Sequence, residues 1–248
     1  MRHNTNIRSA LIYYNNSQLV GMTKPVLLLD FDGVVLRNHA AHKIVANRCT
    51  RYVQSVLQIR NPEKATEANR HLYMTYGHTY IGLRKLGYDI SLRSFNSYVY
   101  DAIDYNHMFK NIKSTHSKDI TELSKFIALN KERVDIHIFS NAPNIWCDNV
   151  CSHMGLDTLV GKHLSKVTDV ILKPNAKCYD CIEKHLYGYT KFIFVDDTMI
   201  NFQPILNRPN WDKIIMSQVV QETPIQMRSD LHLVYNFTQV QQVLDTNN

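Results

Sequence analysis

Val26-Leu27-Leu28-Leu29-Asp30-Phe31-Asp32-Gly33 decides the fold: an uninterrupted apolar run ends on two carboxylates spaced by one residue, followed by a glycine. Consecutive apolar residues bounded by turn formers read as a strand buried on both faces, the pattern of a parallel sheet. Open α/β sheets place their chemistry beyond the carboxyl ends of such strands. Further signals follow in chain order: Ser140 after Ile136-His137-Ile138-Phe139, then Lys173-Pro174, then Asp196-Asp197 after Phe192-Ile193-Phe194-Val195. Each alone reads as a turn, a helix start or a solvated loop; in this order at strand ends they point to phosphoryl transfer.

Outward from these strands the pattern alternates. From Ile120 the spacing predicts a helix to Leu129, a strand to Ser140, a helix from Asn144 to Met154, and a short strand before Lys173. A helix carrying Cys178 to Leu186 and the Phe192 strand follow. Lys213-Ile214-Ile215-Met216 and Leu231-His232-Leu233-Val234 read as further strands, with Val240, Val243 and Leu244 on a closing helix. The expected fold is α/β, a Rossmann-like doubly wound parallel sheet. Residues 36–114 are rich in Tyr, His, Arg and Asn, with helical spacing at Val45, Val53, Val56 and Leu57. They read as a helical cap inserted over the strand tips, within a core of residues 25–35 and 115–248, after an N-terminal extension of residues 1–24.

At 248 residues, with 44% hydrophobic and 20% charged residues, the chain fits one α/β core with one insertion, and no apolar stretch is long enough to span a bilayer. The net charge of +6 and pI near 9.0 suit an anionic partner, here a small phosphorylated metabolite. No block of Lys and Arg with interleaved aromatics occurs, so nucleic acid is not expected as a partner, and neither is a membrane. Residues 1–24 carry Arg2, Arg8 and Lys24 and no acidic residue. They read as a frayed extension or a segment before a start at Met22, with an organellar presequence as the alternative. Five cysteines without a secretory signal imply free thiols and a cytoplasmic location. Cys147-x3-Cys151 and Cys178-x2-Cys181, near His153 and His185, imitate a zinc pattern, but helix faces buried against a sheet give the same spacing.

The residues can be given roles. Asp30 is placed to attack phosphorus and form an aspartyl-phosphate. Asp32 stands beside the leaving oxygen as acid, then base. Oxygen ligands from Asp30, the Asp32 backbone carbonyl and Asp196, with Asp197 through water, suit Mg²⁺. Ser140 and the backbone after it, at Asn141, donate to phosphoryl oxygens, and Lys173 neutralises their charge.

The order Asp30-Phe31-Asp32-Gly33, Ser140-Asn141, Lys173-Pro174 and Asp196-Asp197 resembles the four motifs of the haloacid dehalogenase (HAD) superfamily, over residues 25 to 245. The resemblance implies a hydrolase with Asp30 as nucleophile, Asp32 as acid/base, Ser140 and Lys173 as phosphate binders, Asp196 as Mg²⁺ ligand, and a cap that closes over the site. Asp32 argues against a dehalogenase. Tyr73-Met74-Thr75-Tyr76-Gly77 with Gly82-Leu83, and Asp196-Asp197-Thr198 with Asn201, are similar to pyrimidine 5′-nucleotidases. That likeness implies a nucleoside 5′-monophosphate substrate, with Tyr76 and Arg84 of the cap as base- or ribose-contacting residues. Gly33-Val34 departs from that group and is similar to sugar-phosphate and phosphoglycolate phosphatases, so another small phosphorylated metabolite remains open. So do phosphomutase chemistry and a non-catalytic binding role.

Overall fold

A computed structural model describes residues 24–112, 117–164, 171–217 and 225–246. Strands β1 (Val26–Leu29), β2 (Asp135–Ile138), β3 (Phe192–Asp196), β4 (Trp211–Met216), β5 (Ile225–Arg228) and β6 (Leu231–Val234) form one sheet in the order β2-β1-β3-β4-β6-β5. All neighbours are parallel except β5, which pairs antiparallel with β6 at the edge. Every side chain of β1 is fully buried, because parallel neighbours flank it and helices cover both faces.

Alternation along the strands sorts the core into two halves. Leu27, Leu29, Ile193, Val195, Ile214 and Met216 share one with helices α6 (Ser117–Asn130), α7 (Asn144–Met154) and α9 (Phe237–Thr246). Val26, Leu28, Phe192, Phe194, Trp211 and Ile215 share the other with α8 (Ala176–His185) and a 3₁₀ helix, Met199–Ile205. This is the doubly wound sheet that the sequence predicts. The same division disposes of the zinc-like spacing: Cys147 and Cys151 lie in one half and Cys178 in the other, on opposite sheet faces.

Helices α1 (His39–Val56), α2 (Pro62–Tyr76), α3 (Thr79–Lys85), α4 (Leu92–Tyr100) and α5 (Tyr105–Ile112) are inserted between β1 and α6. Asn38 caps α1 by accepting from the Ala41 N–H at 2.8 Å. Asn61 caps α2, with Pro62 in the first turn, where the missing N–H costs nothing. Arg48 of α1 donates to the carbonyls of Tyr98 and Val99, tying α1 to α4. Gly77 ends α2 with φ 74° and lies against Ile200 and Pro174, so these helices touch the strand-tip loops.

Two features depart from the sequence reading. Ile171 and Leu172, where the strand before Lys173 was to end, are irregular, and residues 165–170 lie outside the described residues, as do residues 1–23 of the N-terminal extension. The edge strand β5 was not predicted. Among the described residues no helix is long and apolar enough to cross a membrane.

Candidate active site

Because β2, β1 and β3 are parallel neighbours, the residues that follow them emerge side by side. The Asp30 N–H donates to the Val195 carbonyl and the Phe139 N–H to the Leu29 carbonyl, each at 2.8 Å, which carries the sheet register out to the tips. The Phe31 N–H donates to Asp30 Oδ1 at 2.7 Å and orients that carboxylate. The chain then turns at Gly33, at φ +94°, and the Leu36 N–H returns to the Phe31 carbonyl at 2.8 Å. A Cβ at Gly33 would stand 2.0 Å from Asp197 Oδ2, so both the backbone angle and the close approach require glycine.

Lys173 is the centre of the site. Its Nζ lies 2.6 Å from Asp196 Oδ2, 3.1 Å from Asp30 Oδ1 and 2.8 Å from the Phe139 carbonyl, and stands 5.1 Å and 5.0 Å over the rings of Phe139 and Phe194. Burial works against its charge, but Asp196 and Asp30 outweigh it and hold the ammonium above its usual pKa. The Asn141 amide brackets the Lys173 backbone, accepting from its N–H at 2.8 Å and donating to its carbonyl at 2.9 Å. The Asn141 side chain thus positions Lys173. Ser140 Oγ accepts from the Ala142 N–H at 3.3 Å, and both Ser140 and Asn141 line the cavity.

Asp196 accepts from the Thr198 N–H at 2.8 Å and from the Asn201 amide at 2.9 and 3.0 Å. Asn201 is fixed in turn by Tyr179, whose hydroxyl donates to its carbonyl. Burial first, then the Asp30 charge, pushes the Asp197 carboxyl up to about 7. One carboxylate oxygen each from Asp30, Asp196 and Asp197 lies within 4.8 Å of the others. These hard oxygen donors, opposed by one buried ammonium, suit a divalent cation of the Mg²⁺ type. The Asp32 carboxylate is not part of this cluster.

Asp32 instead turns toward α7 and α1. Trp146 Nε1–H donates to its Oδ1 at 3.1 Å, and His42 Nε2 stands 3.7 Å from the same oxygen. Burial, then the Asp30 charge, raises its pKa to about 7 against the pull of the indole N–H and Lys173. The third of its side-chain surface that stays exposed, 32%, faces the cavity it helps to line.

That cavity, of about 450 Å³, runs from Asp30, Asp197 and Lys173 to the inserted helices, where His42, Asn69, Tyr73, His78, Phe95 and Tyr100 line it. Tyr73 reaches back to bond the Thr198 side chain, and burial followed by the Asp197 charge drives its phenol up to about 12. Burial lowers His78 to about 4 and keeps it neutral. Tyr76 and Arg84 do not line the cavity. Tyr76 packs against Gly82, and Arg84 donates to Asp89 at 2.8 Å and to the Tyr88 carbonyl. The sequence reading passed over Trp146 and His42 entirely. Asn201, five residues past Asp196 in the sequence, was a readable signal.

No protein-family model matches the chain, and no curated protein matches it. Solved structures do. A dehalogenase superposes with a TM-score of 0.53 at 13% identity, over 89% of this chain and 97% of that one. YfnB from Bacillus subtilis, described as a HAD-hydrolase bound to magnesium, superposes with a TM-score of 0.53 at 13% identity, over 90% and 99%. The chain therefore has the fold of the HAD hydrolases.

Proposed function

We propose that this protein is a Mg²⁺-dependent phosphomonoester hydrolase acting through an aspartyl-phosphate on Asp30, with a nucleoside 5′-monophosphate as its leading substrate class. The observation that carries the reading is a pair of carboxylates with different surroundings at one strand tip. Asp30 lies 3.1 Å from a buried ammonium, while Asp32, two residues on, faces the cavity with its pKa raised to about 7. One is suited to attack and the other to carry a proton near neutral pH.

An Asp30 oxygen attacks phosphorus, the bond from phosphorus to the ester oxygen breaks, and its electron pair leaves on that oxygen, which takes the proton of Asp32. Water then attacks the phosphorus, giving a proton to the Asp32 carboxylate, and Asp30 departs as phosphate is released. Ser140 and the backbone at Asn141 hold the phosphoryl oxygens, and the Lys173 charge, with its N–H groups on Asp30, Asp196 and the Phe139 carbonyl, offsets the charge on them. Asp30, Asp196 and Asp197 would hold Mg²⁺, with the Asp32 carbonyl completing the set, and the ion would offset the negative charge of the phosphoryl group. A cavity of about 450 Å³ with aromatic walls at Tyr73, Phe95 and Tyr100 suits a nucleoside, and a smaller sugar phosphate also fits. The likeness to a dehalogenase favours a halide leaving group as a second reading, but a halide needs no proton, and Asp32 supplies one.

The test is phosphate release from a panel of nucleotides and sugar phosphates with Mg²⁺, with Asp30→Asn alongside. The expected result is release that the variant abolishes, strongest on nucleoside monophosphates. Release from no ester overturns the reading, and halide release from 2-haloacids would establish the second.

A further inference from the structure

A general acid must present its proton to the leaving oxygen, and a carboxyl group on a turning loop is free to rotate. Here the two side-chain contacts of Asp32 among the described residues both fall on Oδ1, one from Trp146 and one from His42. Trp146 comes from the first turn of α7, not from the loop that carries Asp32, and none of its surface is exposed. Its ring is packed by Tyr100, with centroids 5.6 Å apart, and Tyr105, at 5.9 Å, both from the inserted helices. A buried indole needs an acceptor, and the bland account is that Asp32 merely supplies it. Trp211 fits that account, since its N–H ends on Glu183, outside the cavity. Trp146 differs in spending its N–H on a carboxylate that faces the cavity.

We propose that Trp146 is the positioning residue for the acid: its N–H fixes Oδ1 of Asp32, so that Oδ2 carries the proton and meets the leaving oxygen. The inference rests on the phosphomonoesterase reading above. As the bond from phosphorus to the ester oxygen breaks, the Oδ2 proton passes to that oxygen and the electron pair of the O–H bond stays on Asp32. The indole contact then becomes a charge-assisted hydrogen bond, which is stronger than the neutral one it replaces. The N–H therefore helps most where the proton has moved furthest, on esters with poor leaving groups. Tyr100 and Tyr105 hold the ring, so the alignment depends on the inserted helices being in place.

The experiment compares kcat/KM, which covers only the steps through departure of the leaving group, on an alkyl phosphate and on p-nitrophenyl phosphate, whose leaving group departs without protonation. The variants are Trp146→Phe and the chain carrying 3-benzothienylalanine at position 146, which keeps the bicyclic shape and replaces N–H by sulfur. Losing a hydrogen bond to a developing charge should cost ~10 to 100-fold in kcat/KM on the alkyl ester. The aryl ester should stay within about threefold. Equal losses on both esters in the benzothienyl protein would overturn the positioning role while leaving the phosphatase reading standing. If the unaltered protein releases phosphate from neither ester and from no member of the nucleotide and sugar phosphate panel, the phosphatase reading falls and this role falls with it. The contact itself has a separate readout: with two tryptophans in the chain, the indole N–H signal missing from Trp146→Phe is that of Trp146. It should shift in Asp32→Ala, and a signal that stays in place overturns the proposal.

Discussion

Replacing Lys173 by Met keeps the unbranched stem and removes the charge. The side chain is 1% exposed, and its ammonium lies 2.6 Å from Asp196 and 3.1 Å from Asp30. At an effective dielectric near 20 each contact is worth about 5 or 6 kcal/mol of Coulomb energy, much of it offset by the cost of desolvating three charged groups. The substitution does not recover that cost, because both carboxylates stay buried and now face each other uncompensated. Breaking a buried pair from one side costs about 3–5 kcal/mol, and that is the loss in unfolding free energy expected of Lys173→Met in EDTA. Asp196→Asn should also destabilise, since it leaves the ammonium with one carboxylate. The double variant should be less damaged than the sum of the two by about 1–3 kcal/mol, because the second change removes a charge the first left stranded. Urea unfolding of the four proteins in EDTA measures this cycle. A Lys173→Met loss below about 1 kcal/mol, or strict additivity, would refute the account of Lys173 as the electrostatic centre of the site.

Gly33→Ala places a methyl group 2.0 Å from Asp197 Oδ2 on a backbone at φ +94°. It should cost about 1–3 kcal/mol of stability and weaken Mg²⁺ binding in calorimetry, whereas Gly87→Ala, also at positive φ but with open space around it, should leave Mg²⁺ binding intact. His163 is 7% exposed and burial holds its imidazole down to about 4, with Asp148, Asp30 and Lys173 as the nearest charges and the Ala142 backbone as its hydrogen-bond partner. A depressed folded pKa means the stabilisation is complete above the unfolded value of 6.5 and is lost as pH falls from there toward 4. The loss approaches ~3 kcal/mol, and unfolding midpoints from pH 8 to 4.5 should converge between the native protein and His163→Gln as pH falls. A constant gap between the two curves would contradict this.

What was legible in the sequence follows from where each residue's environment is set. β1 and β3 are buried on both faces, so their apolar runs announce them, and the helix Asn144–Met154 has the bounds that its pattern predicts. β5 pairs only with β6, and Ile225-Gln226-Met227-Arg228 carries too little apolar sequence to stand out. Asp30, Asp196 and Asp197 could be read because the sheet brings the tips of β1 and β3 together whatever the helices do, whereas Lys173 follows irregular chain and was legible from its place in the motif order. The helical residues could not, because which side of α2 meets the cavity depends on its rotation about its own axis. Tyr73 and Tyr76 are three positions apart and only about 60° apart around the helix, yet one lines the cavity and the other packs on Gly82. Trp146 and His42 read as ordinary core and helix residues until α7 and α1 are placed around Asp32.

In the proposed reaction the strand tips carry the chemistry and the inserted helices would choose the substrate, and the polar groups of those helices are not equally free. The Asn69 amide is spent on structure: it donates to Thr50 Oγ1 at 3.1 Å and to the Ala46 carbonyl, and accepts from Thr79 Oγ1 at 2.7 Å, bracing α1, α2 and α3 against each other. His78 accepts the Tyr80 N–H at Nδ1, so its neutral ring carries the proton on Nε2. With its pKa near 4, it meets a ligand as an uncharged donor and cannot answer a second negative charge with a positive one. Among the described residues lining the cavity, Arg70 is the one fixed cation these helices supply, and it sits exposed. A leaving group with neutral acceptors and a flat apolar face matches that wall better than one bearing a second acid. Under the proposed function a nucleoside therefore ranks above phosphoglycolate, the alternative implied by the resemblance at Gly33-Val34.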